Sequence, residues 1–437
     1  MNKLTVIGGG LAGCEAAYAA ANRGIEVELL EMKPAKKTAA HKSDNLAELV
    51  CSNSLKASRV DSAAGLLKEE MRRLGSVCLA AADRSAVAAG GALAVDRDIF
   101  SRLITEKIKS HPNITVTERL VTEIPQGGVT VIATGPLTDD KLAEKLAGLC
   151  DGGNLSFYDA AAPIVTAESV DMSKAFFASR YDKGGDDYIN CPMNKEEYTA
   201  FYHELINAES APLHGFDKAP NVYEGCMPIE VLAKRGEDSI RFGPLKPVGL
   251  RDPRTGHRPW AAVQLRRENA AATLFNIVGF QTNLKFSEQK RVFSMIPGLE
   301  NAEFMRYGVM HRNTFINSPK MLNRNLSLKA DKNIFIAGQL SGVEGYMESA
   351  ASGIIAGINA AAEITGEKPL VLPETTMTGA LLSYITNPLT ENFQPMGANF
   401  GIIPPLEAHI RDKRERYAAL AARALGILAE NIKTEEI

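Results

Sequence analysis

The chain has six cysteines, Cys14, Cys51, Cys78, Cys150, Cys191 and Cys226, and no two of them stand in a CxxC spacing. That absence removes zinc-ribbon and thioredoxin-type readings; no metal site and a reduced, cytoplasmic setting are the expectations. No uninterrupted run of about 18 apolar residues occurs, so no membrane span is expected. The apolar start is short and broken by glycines from position 8, which suits a first strand better than a signal peptide. Tryptophan occurs once, at Trp260, and no internal repeat or low-complexity tract stands out. What remains is 437 residues of 45% hydrophobic content, enough for two domains or for one domain with a large insertion.

The most informative stretch is the first. KLTVI (Lys3 to Ile7) reads as a buried strand, GGGLAG (Gly8 to Gly13) as a glycine turn, and the alanine-rich run to Arg23 as a helix. Gly8, Gly10 and Gly13 fill the three positions of the dinucleotide fingerprint, with Gly9, Leu11 and Ala12 between them. The fingerprint needs a tight turn, close backbone approach to a pyrophosphate, and close packing of helix on strand. The helix N-terminus then offers unpaired N–H groups to phosphate. Gly24 suits a helix C-cap, and IEVELLE reads as a second strand ending at Glu31, where an acid binds an adenosine ribose.

Two further segments belong to the same reading. GVTVIATGP (Gly128 to Pro136) and NIFIAG (Asn333 to Gly338) are short β-branched strands that run into glycine turns. The second leads to Gly342, Gly345 and a long small-residue helix, a composition that lets backbone approach a ligand. Between the two strands lies far more chain than a loop should hold, with its own aromatics and turns, so an inserted domain is expected. The C-terminal stretch from Arg411 to Ile432 is helical in pattern.

The formal net charge of −3 hides a local asymmetry. Nine Lys/Arg face five acids from Cys226 to Ala270, and six face one from Arg306 to Lys332. On a shared face these segments would track a phosphate backbone; as separate loops they would be ordinary solvated surface.

GGGLAGCEAA, ELVCSNSLK around Cys51, VYEGCMPIE around Cys226, RFGPLKPVGL, MHRNTFINSP and IFIAGQLSGVEGYMESAASG occur in that order over nearly the whole chain. In these segments the sequence resembles the folate- and FAD-dependent tRNA (uracil-5-)-methyltransferase family. The resemblance implies an α/β fold: a Rossmann-like FAD-binding domain of the glutathione-reductase-like flavoprotein class, interrupted by an α+β insertion domain. The expected boundaries are residues 1–160 for the first part of the FAD-binding domain and 161–305 for an RNA-facing insertion. Residues 306–437 would form the second part with the C-terminal helix. The implied reaction is reductive methylation at C5 of uridine 54 in the T loop of tRNA. Methylenetetrahydrofolate would be the carbon donor, FAD the carrier, and NADH or NADPH a transient reductant. No obligatory protein partner is evident. Two other readings stay open from the residues alone: the same chemistry on a ribosomal RNA uridine, and a flavin oxidoreductase acting on a small molecule.

The chemistry asks for a thiol. Uracil C5 is too weak a nucleophile until a group adds at C6 and pushes electron density onto it. Thiolate both adds well and leaves well. Cys226, at the head of the basic stretch, is assigned as the nucleophile, and Cys51, near the flavin, as the base that removes the C5 proton; the reverse assignment remains open. His311 is expected to stack on a pterin ring, with Arg312 near the folate tail or an RNA phosphate. Tyr346 is expected to cover the flavin or folate ring, or simply to fill core. Arg254, Arg258 and Arg267 are candidates for RNA contact, whereas Trp260 is expected to anchor the insertion's core. Cofactor contacts are assigned to Gly8, Gly9, Gly10, Leu11, Ala12, Gly13, Glu31, Gly338, Gly342 and Gly345. Cys14, Cys78, Cys150 and Cys191 are read as packing residues.

Overall fold

The computed structural model describes residues 3–38, 41–148, 155–182, 185–212, 227–390 and 393–433. Five strands run parallel in the order Ile334–Ile336, Val129–Ile132, Lys3–Ile7, Glu26–Glu31 and Ile114–Glu118. The strands Val129–Ile132 and Ile334–Ile336 are buried at every position, as a parallel sheet covered on both faces requires. These two strands, far apart in the chain, are neighbours in register, with Thr130 opposite Ile334.

Helix Leu11–Ala21, which follows the glycine turn, packs on helix Tyr346–Thr365. A Cβ on Gly353 would fall 2.2 Å from the Ala12 carbonyl oxygen, and one on Gly357 would fall 2.3 Å from that of Ala16. The two helices therefore meet backbone to backbone, with small residues at i and i+4 on both. That is why both sequences are runs of alanine and glycine: these glycines serve helix packing rather than ligand approach.

A second sheet has six strands, antiparallel throughout, in the order Phe176–Phe177, Tyr188–Met193, Ala261–Arg267, Leu274–Ile277, Ile164–Thr166 and Phe304–Arg306. Helix Lys195–Asn207 covers it and begins on a capping box, in which Asn194 Oδ1 accepts from the Glu197 N–H at 2.8 Å and Glu197 Oε2 accepts from the Asn194 N–H at 2.7 Å. Its apolar cluster gathers Tyr198, Phe201, Phe275, Phe280 and Phe293, all between residues 165 and 302. A separate cluster draws on residues 4–146 and 315–428. An antiparallel pair, Leu155–Ala160 with Met310–Phe315, bridges the chain's exit from the parallel sheet and its return. The terminal helix spans Lys413–Lys433, close to the stretch its sequence pattern marks.

Candidate active site

The C-terminal ends of the parallel strands open onto a cavity lined from Ile7 and Gly8 through Glu31 and Ala133 to Gly338. Its floor is the glycine turn. Gly8 sits at φ +100°, and a Cβ there would lie 2.6 Å from the Ala133 carbonyl oxygen, so the neighbouring strand excludes any side chain. Gly13 is tighter still: its Cβ would fall 1.7 Å from the Gly8 carbonyl oxygen. Gly10 behaves differently, since a Cβ built on it meets no atom within 4 Å. Gly10 is also the N-cap of helix Leu11–Ala21, and no side chain caps that end. The unpaired N–H groups of the first turn face the cavity that Gly10, Leu11 and Ala12 line.

Glu31 closes this cradle. Its Oε2 accepts from the Gly9 N–H at 2.6 Å and its Oε1 from the Lys33 N–H at 2.9 Å, so the carboxylate braces the turn while lining the cavity. The cradle thus fits a dinucleotide on three counts: a backbone floor with a gap where a side chain would stand, an uncapped helix N-terminus, and an acid at the end of the second strand. Gly338 also lines the cavity, with φ +75° and its Cβ position 3.0 Å from the Ala12 Cβ. Gly342 and Gly345 are not in the lining. Their positive φ values, +81° and +119°, serve close approaches to Phe393 and to Glu348 with Lys56. Sequence reasoning missed Lys33, His41, Glu48, Arg119 and Gln339, which also line the cavity. Lys33 Nζ donates to the Asn45 carbonyl at 2.5 Å. Burial and the nearby Lys33 charge hold the His41 imidazole below its ordinary range. The spacing of Lys33 two residues beyond Glu31 was the one available signal.

At the rim stands the loop that carries Cys51, a half-buried residue. Arg97 donates to the carbonyls of Leu49 at 2.7 Å and Cys51 at 3.3 Å, and Arg306 donates to that of Val50. Arg266 donates to Ser52 Oγ at 2.9 Å and to Asn53 Oδ1 at 3.0 Å. The Tyr346 hydroxyl accepts from the Cys51 N–H at 2.7 Å and from the Ser52 N–H at 3.2 Å. Arg266 and Arg306 come from the antiparallel sheet, Arg97 and Tyr346 from the parallel-sheet region, so the loop is fastened at the junction of the two. Glu268 pairs with Arg97; burial pushes its carboxyl up, and burial likewise pushes Arg266 and Arg306 below the usual guanidinium range.

Cys226 lies outside the described residues, as does Cys150. The chain resumes at Met227, and Ile229 N–H donates to the Gln281 carbonyl at 2.7 Å. Cys14, Cys78 and Cys191 are buried. Burial raises all three thiols, that of Cys191 to about 12, which leaves them inert as packing residues. His311 and Arg312 occupy the bridging strand Met310–Phe315, in register with Asp159 and Tyr158.

The basic segments do not form one stripe. Arg254 is taken up by Asp252 at 2.9 and 3.1 Å and by the Ser173 carbonyl at 3.0 Å. Arg258 is exposed. Arg267 is half-buried at the end of its strand, where its carbonyl accepts from Asn53 Nδ2 at 2.9 Å. From the second segment Arg306 turns inward to the Cys51 loop, Lys329 donates to the Pro319 carbonyl at 2.8 Å and Lys332 pairs with Glu363 at 2.7 Å. Trp260 packs against the second cluster, with the Arg241 guanidinium 3.7 Å above its ring, so that ring face is already covered.

A parallel sheet with this cradle, interrupted by an antiparallel sheet, defines a dinucleotide-binding flavoprotein fold. Residues 3–368 match the family model for glucose inhibited division protein A. GidA from Aquifex aeolicus has the same fold, with a TM-score of 0.70 over 98% of this chain and 73% of that one at 18% identity. The methylenetetrahydrofolate–tRNA-(uracil-5-)-methyltransferase of Lactobacillus gasseri is 57% identical over 436 residues, 100% of this chain and 99% of the relative. Its namesake in Acetivibrio thermocellus is 58% identical over 429 residues, 98% of each chain. The chain belongs to this methyltransferase family within the glucose inhibited division protein A group.

Proposed function

We propose that this protein methylates C5 of uridine 54 in the T loop of tRNA, with the carbon of methylenetetrahydrofolate and electrons from NADH or NADPH. Folate- and FAD-dependent methylation of tRNA uracil is the chemistry of its family, and the protein carries it out as an enzyme. Choice of the T-loop position, the cytoplasm as its compartment and the division of labour among residues are our reading. The observation that carries it is the placement of the Cys51 loop at the rim of the dinucleotide cavity, with Val50 and Tyr346 in the cavity wall.

In this reading residues 1–160 and 306–437 hold the cofactor and 161–305 face the RNA, a division supported by the two apolar clusters. Gly8 to Gly13 cradle the FAD pyrophosphate and Glu31 takes the adenosine ribose, while Gly338 borders the cofactor from the other side. Gly342 and Gly345 shape the approach to helix Tyr346–Thr365 from behind. Bound there, the flavin supplies the electron pair that brings the one-carbon unit to methyl level. The remaining steps belong to the chain. Cys226 adds at uracil C6, C5 bonds to the one-carbon unit, and Cys51 removes the C5 proton as that unit's bond to its carrier nitrogen breaks. Once the unit is reduced to methyl, the Cys226 sulfur leaves as the C5–C6 double bond re-forms. His311 and Arg312 receive the folate, and Arg258 and Arg267, with Arg254 behind them, meet the RNA backbone. The stacked target base must leave its loop to reach the rim.

RNA carrying 5-fluorouridine at the target position tests the assignment, because fluorine at C5 blocks release of the C6 adduct. The covalent complex should form with wild type and with Cys51→Ala and should be lost in Cys226→Ala. Persistence in Cys226→Ala with loss in Cys51→Ala would reverse the two roles.

A further inference from the structure

The loop from Leu49 to Asn53 has its carbonyls and side chains held by three arginines, yet those guanidinia can only donate. The backbone N–H groups of Cys51 and Ser52 need an acceptor, and both find the same one, the Tyr346 oxygen. A phenol oxygen has two lone pairs, so this pair of bonds saturates it as an acceptor and fixes where it stands. The ring that carries this oxygen is half-buried at the first position of helix Tyr346–Thr365 and lines the cofactor cavity.

We infer that Tyr346 is a positioning residue for the Cys51 sulfur: its hydroxyl clamps the two amides that set the direction of the cysteine's Cα–Cβ bond, while its ring forms cavity wall. The inference rests on the reading of Cys51 as a reacting group. It assigns the hydroxyl a task distinct from ring coverage, since phenylalanine would supply the same wall. The helix is a rigid base for it. Its small residues pack against helix Leu11–Ala21 without room for displacement, so the oxygen is held to the same frame as the glycine cradle. A second tie comes from the same helix: Lys56, on the strand after the loop, pairs with buried Glu348 at 2.7 Å, two residues beyond Tyr346. The thiol loop is thus referred to a single helix at two points, through its own amides and through the strand that follows it.

Hydrogen exchange resolved to single amides tests this in the unmutated protein and in Tyr346→Phe. In wild type the amides of Cys51 and Ser52 should exchange as slowly as those of strand Ala92–Val95, which pairs with the strand following the loop. In Tyr346→Phe these two amides should exchange at least about tenfold faster while strand Ala261–Arg267 is unchanged. Flavin absorbance should be retained, kcat for methylation of an unmodified tRNA transcript should fall about tenfold or more, and KM for that transcript should hold. Fast exchange of both amides in wild type overturns the inference without any variant. So does unchanged exchange in Tyr346→Phe, or faster exchange with an unaltered kcat. Alkylation of the buried Cys14 and Cys78 reports any general unfolding of the variant. A Cys51→Ala protein with full methylation activity would instead overturn the role of Cys51 and leave the exchange result standing.

Discussion

The cofactor cradle and the thiol loop border one cavity but are built from opposite materials. The cradle is backbone: Gly8, Gly10 and Gly13 act through the side chains they lack, and one carboxylate, Glu31, braces the turn. The loop is held almost wholly by long side chains that reach in from distant parts of the chain, Arg97, Arg266, Arg306 and Tyr346. A site made of backbone is written as a local motif. A site made of converging side chains is written nowhere in particular, because its members need only meet in space.

That comparison can be broken first at the glycines. Gly13→Val places a Cβ on the Gly8 carbonyl, where neither backbone can yield, and should cost more than about 4 kcal/mol, so little folded protein is recovered. Gly10→Val meets open space, so the fold and melting temperature should hold while flavin affinity falls about a hundredfold, read from the visible absorbance after dialysis. If both variants keep their flavin, the cradle is misplaced. At the loop, Cys51→Ala should lower methyl transfer by roughly a thousandfold with flavin retained, as removal of a positioned proton acceptor does.

Smaller effects separate the holding residues from the rest. Arg266→Met leaves Ser52 Oγ and Asn53 Oδ1 without their buried donor, at a cost of about 1–3 kcal/mol in stability by urea titration. Arg258→Glu should weaken tRNA binding more than Arg254→Glu, because Arg254 is already committed to Asp252; filter binding across a salt series checks the order. The smallest effect is a pH dependence. Burial holds the Lys68 ammonium down to about 8, and its Nζ donates to the Leu55 carbonyl at 2.7 Å. Between that value and the ordinary lysine value the unfolded chain binds the proton and the folded one does not. Folding stability from this group therefore rises with pH across that window and is constant below it. Lys68→Met should flatten the rise in the urea midpoint.

How much was legible follows from the same contrast. The strand, turn, helix and acid from Lys3 to Glu31 are present in the structure as the spacing implies, because hydrophobic period and glycine placement are local signals. The paired strands at Val129 and Ile334 were visible as β-branched runs, and the second apolar cluster draws on the chain between them. The function of individual charges was not legible. Composition marks residues 306–332 as basic, yet Arg306 is turned inward onto Val50 and Lys332 is paired with Glu363, so a count of charge says little about which cations face a ligand. Nor did Tyr346 reveal its hydroxyl's partners, which lie almost three hundred residues earlier. The small-residue composition of the helix after Gly345 was legible, but not its partner: packing against helix Leu11–Ala21 claims Gly353 and Gly357.

Isotope-labelled methylenetetrahydrofolate, NADH and an unmodified T-loop transcript, incubated with the flavin-loaded protein, bring the cavity and the thiol rim to one readout. The labelled methyl should appear at C5 of uridine 54 with wild type and be absent with Cys51→Ala. A label that never reaches the RNA, or a methyl group supplied only by S-adenosylmethionine, would contradict the account.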